Sequence, residues 1–203
     1  LYATTDTESQ LRSQLAAATE RHTDRQSTGI GYDLGKGYPQ AITEADLLSV
    51  TYYDDYDFPL AQLPDWQYAN SLEPALTTST YTRGLTTGAL TRVLGTDEWL
   101  GTLSYYDDRS RVLQSLTQHY GGSIDQLTSR YNWLGELQES QLLHTEPDGT
   151  QTTVVERFTY DHTGRLLNQT HQVNDAPEVI LAAQAYNELG QLSQKQLHDD
   201  VEP

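Results

Sequence analysis

The chain of 203 residues carries 29 Asp and Glu against 12 Lys and Arg, a formal net charge of -17, and has neither Cys nor Met. The lack of Cys excludes a disulfide framework, thiolate catalysis and thiolate-bound zinc or iron–sulfur centres. A net charge of -17 with Lys36 and Lys195 as the only lysines argues against a nucleic-acid partner, whose phosphates demand Lys and Arg in excess, and no apolar run approaches the roughly 18 residues of a membrane span.

The hydrophobic share is 36%, lean beside the roughly 45–50% of typical globular domains. Fourteen Tyr accompany two Phe. Tyr covers as much area as Phe but keeps a hydroxyl that needs a partner or water, so a thin, partly wetted wall fits this composition better than a thick dry core. Leu1 opens the chain where an initiator Met would stand, and the sequence reads as an interior piece of a longer polypeptide.

Residues 1–28 form an N-terminal helical segment. Thr5-Asp6-Thr7-Glu8 fits a capping box. Leu11, Leu15 and Ala18 then fall at i, i+4 and i+7, one narrow stripe with which the helix is expected to pack on the main body. From Gly29 the character turns to strand and turn, and residues 29–103 read as a diverged β-rich region. A strand is expected over Asp46 to Tyr53, running into the acidic Asp54-Asp55-Tyr56-Asp57; Pro59, Pro64 and Pro74 mark an irregular loop over 59–75. Two further strands are expected over 90–94 and 100–106, around Gly95-Thr96-Asp97.

Residues 104–203 repeat themselves. The segments are Tyr106-Asp107-Asp108-Arg109-Ser110-Arg111-Val112, Tyr131-Asn132-Trp133-Leu134-Gly135-Glu136-Leu137, Tyr160-Asp161-His162-Thr163-Gly164-Arg165-Leu166 and Tyr186-Asn187-Glu188-Leu189-Gly190-Gln191-Leu192. Their tyrosines stand 25, 29 and 26 residues apart. Asp or Asn at the first turn position accepts backbone amide hydrogen bonds. Gly three residues on supplies the positive φ that closes a type I turn with a bulge. Tyr before the turn and Leu after it then face each other across a hairpin. Glu146-Pro147-Asp148-Gly149 and Asn174-Asp175-Ala176-Pro177 make the return turns. The fold class that follows is mainly β: consecutive antiparallel β-hairpins in one spiralling sheet, with one N-terminal α-helix. Tyr53-Asp54-Asp55 is a degraded fifth copy.

At these residues the chain resembles the YD-repeat, or RHS-repeat, family, whose signature is Tyr-Asp-x-x-Gly-Arg-Leu. The segment at 160 matches every defined position. The segment at 106 has Ser110 for Gly and Val112 for Leu, and those at 131 and 186 have Asn132 with Glu136 and Asn187 with Gln191. The likeness covers 104–198 and extends in diverged form over 29–103, where Gly31-Tyr32-Asp33 joins Tyr53-Asp54. It implies a sheet that spirals into a hollow shell. In bacterial toxin complexes such shells enclose a C-terminal toxic domain; in teneurins a similar shell belongs to an adhesion receptor. The implied partners are neighbouring repeats of the same polypeptide, an enclosed C-terminal domain and secretion machinery. The implied location is outside a bacterial cell, secreted or on its surface. The family's self-cleaving core segment is not visible in this stretch.

Other chemistry is sparse. His22, His119, His144, His162, His171 and His198 form no HExxH and no close pair. Asp54, Asp55 and Asp57 lack the Gly and distal Glu of an EF-hand, Gly29-Ile30-Gly31 lacks the rest of a phosphate loop, and Ser has no GxSxG elbow. Asn168-Gln169-Thr170 is a three-residue glycosylation sequon. No cofactor, no metal and no enzymatic activity is expected. Two functions stay open: a structural segment of a shell that encloses or presents another domain, and a carbohydrate-binding or adhesion surface in which Trp66, Trp99 and Trp133 stack on sugar rings.

Overall fold

In a computed structural model, residues 6–19, 22–36, 42–57, 66–69, 72 and 76–197 are described. The chain is mainly β, with antiparallel strands and, among the described residues, a single α-helix. It divides into two compact units, one of residues 1–67 and 79–104, the other of 68–78 and 105–203.

In the first unit, helix α1 (Glu8–Ala17) starts two residues further on than the Thr5–Glu8 capping box implies: Thr7 is the N-cap, and Gln10 reaches back to its amide at 2.7 Å. Thr5 lies outside the described residues. No residue of α1 is buried and Leu15 stays 39% exposed, so the expected packing stripe does not bury itself. Two leucines a turn apart make too narrow a face to anchor ten residues. A one-turn 3₁₀ helix (Glu44–Asp46) occupies the start of the expected 46–53 strand, which begins later as β1 (Ser49–Asp54). β1 pairs with β2 (Thr82–Arg92), and β2 with β3 (Trp99–Tyr106). β2 is longer than the 90–94 run read from sequence. Its first half carries Gly84 at φ +80, opposite a register shift at Tyr53 and Asp54, so a bulge hides the strand pattern. Most of the 59–75 loop lies outside the described residues. Ile30, Leu47, Val50, Tyr52, Trp66, Leu90, Trp99 and Leu103 make this unit's core. Each such aliphatic side chain contributes about 1.5–3 kcal/mol by leaving water.

In the second unit, β4 (Val112–Gln118), β5 (Ile124–Tyr131), β6 (Leu137–Thr145), β7 (Gln151–Tyr160), β8 (Leu166–Val173), β9 (Val179–Tyr186) and β10 (Leu192–Leu197) pair antiparallel, each with its neighbour in sequence. The expected consecutive hairpins are present. Leu72, Leu113 and Leu116 are buried, and so is Gln114, with no exposed surface. The Gln114 amide clasps the backbone of Ala69: its Oε1 accepts the Ala69 N–H at 3.2 Å and its Nε2 donates to the Ala69 carbonyl at 2.6 Å and to Thr128 Oγ1 at 2.9 Å. From β7 onward Ala182 is the only described residue that is buried. From β7 to β10 both faces of the sheet are partly wet, as the Tyr-rich, Phe-poor composition implies. Among the described residues no helix is long and apolar enough to cross a membrane.

Candidate functional site

The four tyrosine-led turns lie in the second unit and at one end of its strands, because an antiparallel meander returns to the same end every second strand. Their backbones superimpose in hydrogen bonding. The amides of Asp107, Asn132, Asp161 and Asn187 each donate to the carbonyl four residues on, at 2.9 Å in all four turns. The amides of Ser110, Gly135, Gly164 and Gly190 donate back to the carbonyls of those same residues at 2.8–3.1 Å. Oδ1 of each Asp or Asn accepts the amide of Arg111, Glu136, Arg165 or Gln191 at 2.8–3.0 Å. Positive φ falls at Ser110 (+61), Gly135 (+97), Gly164 (+84) and Gly190 (+79). Tyr131 faces Leu137, Tyr160 faces Leu166 and Tyr186 faces Leu192, each pair beside a register shift.

Each turn is also joined to the next. The Tyr131 hydroxyl donates to the carbonyl of Val112 at 3.1 Å, Tyr160 to Leu137 at 2.9 Å and Tyr186 to Leu166 at 3.0 Å. A tyrosine thus reaches past its own hairpin to the residue that follows the previous turn. Arg111 holds Asp107 Oδ2 through Nε and Nη2, both at 2.6 Å, donates from Nη1 to the Asn132 carbonyl at 3.0 Å and lays its guanidinium 4.8 Å from the Tyr131 ring centre. Arg165 holds Asp161 in the same way and lies 4.6 Å from the Tyr186 ring. Such stacked cations are worth about 0.5–2 kcal/mol. The same row of side chains overlies the next glycine: a Cβ on Gly164 would stand 2.5 Å from Glu136 Oε1, and one on Gly190 2.7 Å from Arg165 Nη1.

The electrostatics follow from these bonds. Burial works to raise the Asp107 carboxyl, but the Arg111 amide, the Arg111 guanidinium and the Arg109 amide outweigh it and hold the group below its ordinary value. Asp161 is likewise partly desolvated, yet bonds from the Arg165 and Thr163 amides, the Thr163 hydroxyl and the Arg165 side chain hold it far below the carboxylate range. At the turn where Glu136 replaces Arg, burial first and then the Glu136 charge push the Tyr160 hydroxyl up.

The Asp or Asn of each segment opens one of these turns, and Tyr131, Tyr160 and Tyr186 make the links between them. The sequence did not disclose the reach of each Tyr to the preceding repeat, or Arg109, whose guanidinium donates to the Trp133 carbonyl. Nor did it disclose the cross-strand ladder in which Glu139 takes Arg130 at 2.5 Å and Arg157 at 3.0 Å, with Arg157 continuing to Glu178 at 2.9 Å. Register pairs Arg130 with Glu139 and Glu139 with Arg157, contacts that need the strand alignment before they can be seen.

The other candidates are occupied by the fold. Asp54 Oδ1 accepts the Gly84 amide at 2.6 Å, and Asp55 Oδ1 takes the Asp57 amide at 2.9 Å and Arg25 at 3.2 Å. Asn168 lies inside β8 and donates to Thr159 Oγ1 at 3.2 Å. Trp66 and Trp99 are buried, while Trp133 is 75% exposed at a turn tip. Among the described residues no three His, Asp or Glu side chains are disposed to hold a metal ion; His198 lies outside them. Tyr32 and Tyr52 stack at 5.7 Å with Arg25 over both rings, and the Tyr32 hydroxyl donates to the Thr51 carbonyl at 2.7 Å. No protein-family model matches the chain, and no curated protein sequence is significantly similar to it.

Proposed function

We propose that this chain is a wall segment of a large secreted or cell-surface bacterial protein of the YD/RHS-repeat type, a sheet that encloses or presents another domain, such as a toxin. The observation that carries the reading is the link between repeats: a tyrosine of one repeat bonds the carbonyl after the turn of the repeat before it, three times over. A hairpin built this way is finished only by its neighbour. Neighbouring repeats are accordingly the partners this surface is made for, and the outer edge of β10, with the Leu192 carbonyl, is where the next tyrosine-led strand docks.

The test adds a synthetic peptide with the sequence of residues 179–197 to the whole chain and follows hydrogen exchange of the β10 amides. Protection that weakens when the peptide carries Phe in place of Tyr186 supports the wall. No protection of β10 at millimolar peptide would overturn it. An adhesion surface is favoured by one feature, Trp133 and Leu134 exposed together at a turn tip. Glycan binding that disappears in Trp133→Ala would establish that reading instead.

A further inference from the structure

At the opposite end of the same strands, four ionisable side chains meet. His119 stands in the β4–β5 turn, Asp125 on β5, His144 on β6 and Glu146 in the β6–β7 turn, and Asp125 and His144 are register partners. Asp125 Oδ2 lies 2.8 Å from His119 Nε2, and its Oδ1 lies 2.5 Å from His144 Nδ1. The second nitrogen of His144, Nε2, lies 3.2 Å from Glu146 Oε1. The remaining acid of that turn, Asp148, is engaged with the Thr150 amide at 2.8 Å. On the flanking strands the register partners are uncharged: Thr117 of β4 opposite Asp125 and Thr152 of β7 opposite His144.

A neutral imidazole has one N–H and one lone pair. Both nitrogens of His144 face carboxylate oxygens, which only accept. The arrangement is therefore satisfied by the imidazolium alone, because a neutral ring would set a lone pair against an anion at one of its two contacts. We propose that His119, Asp125, His144 and Glu146 form a proton-operated latch that fastens the β4–β5 and β6–β7 turns together while the His144 imidazole is charged and lets them part as the pH rises.

The direction agrees with the surroundings of each group. The hydrogen bond to Asp125, then that to Glu146, holds the His144 pKa above its ordinary value. Asp125, against the desolvation that would raise it, is held below its ordinary value by His144 and His119, so it stays an anion throughout the histidine range. A raised histidine contributes its stability in full below about pH 6.5 and loses it as the pH climbs through the raised value. The rim is thus fastened in weakly acidic surroundings and loosened in alkaline ones. This holds whether or not the sheet belongs to a container.

Two measurements on the whole chain decide it. Imidazole ¹⁵N shifts should show His144 mainly protonated on both nitrogens at pH 6.5. Hydrogen exchange, corrected for intrinsic rates, should show protection at the amides of 119–125 and 144–150 falling about two- to fivefold between pH 5.5 and 8.5, a slope that flattens in His144→Gln and in Asp125→Asn. A single neutral tautomer at pH 6.5, or an unchanged slope in both variants, would overturn the latch. If a variant does not fold, the ¹⁵N shifts of the unaltered protein decide alone.

Discussion

Gly164 and Gly149 occupy equivalent turn positions with nearly equal backbone angles, φ +84 and +87, but in different surroundings. A Cβ at 149 would meet nothing within 4 Å, whereas one at 164 would stand 2.5 Å from Glu136 Oε1. Replacing either by Ala places an L side chain in the left-handed region, at about 1–2 kcal/mol. At 164 the Glu136 carboxylate must also move, giving up its bond from Asn132 Nδ2, for a further loss of about 0.5–1.5 kcal/mol. Gly149→Ala is therefore expected to cost about 1–2 kcal/mol and Gly164→Ala about 1.5–3.5 kcal/mol. In a Glu136→Ala background the second cost should shrink to the first. The assay is urea unfolding of the four variants, with hydrogen exchange across β7 and β8 to keep the readings local. Equal costs at 149 and 164, within the roughly 0.3–0.5 kcal/mol of ordinary non-additivity, would mean that Glu136 does not overlie the next turn.

The aspartate and asparagine turns should part company in acid. Groups held below their ordinary value contribute stability above about pH 3.9 and lose it as the pH falls through the depressed value. The Arg111 and Arg165 amides should therefore shift in NMR spectra as Asp107 and Asp161 take up protons, while the Gln191 amide, bonded to Asn187, stays in place. An acid shift at Arg165 that survives Asp161→Asn would contradict this. Gln114→Leu leaves the backbone N–H and carbonyl of Ala69 without the amide that now holds them, at about 1–3 kcal/mol. The Ala69 amide should lose its exchange protection while β7 and β8 keep theirs, and an unchanged Ala69 would remove Gln114 as the anchor of that segment.

What could be read in advance was what is local. A hairpin turn is specified within seven residues, so Tyr160, Asp161, Gly164, Arg165 and Leu166 announce both its place and its backbone. The helix start was misplaced because the local pattern does not rank caps: the Thr5–Glu8 box read from sequence gives way to Thr7 with Gln10, which fits the same spacing. The early half of β2 was hidden because Gly84 and the positive φ of Asp54 (+77) break the alternation on which strand reading depends. Contacts set by register were out of reach. The Tyr186 hydroxyl meets the Leu166 carbonyl 20 residues away, and His119 and His144 share Asp125 only after β5 and β6 align. In sequence those histidines stand 25 residues apart and look unrelated.

The departures from the repeat signature are explained by pairs rather than by single positions. Where the residue after the positive-φ position is arginine, at 111 and 165, the turn opens with aspartate, and the two form a charge-assisted bond at 2.6 Å. Where that residue is Glu136 or Gln191, the turn opens with Asn132 or Asn187, and the asparagine Nδ2 donates to the new oxygen. An aspartate opposite Glu136 would set two carboxylates together, so the change at one position requires the change at the other. What the turn preserves is a donor on one side and an acceptor on the other, with an oxygen left to cap the backbone. The segments at 131 and 186 are thus a second solution to the same bonding problem, and the tyrosine link passes through Leu137 as it does through Val112 and Leu166. The tyrosine and its carbonyl fix how repeats join; the pair inside each turn can vary in charge without disturbing that joint.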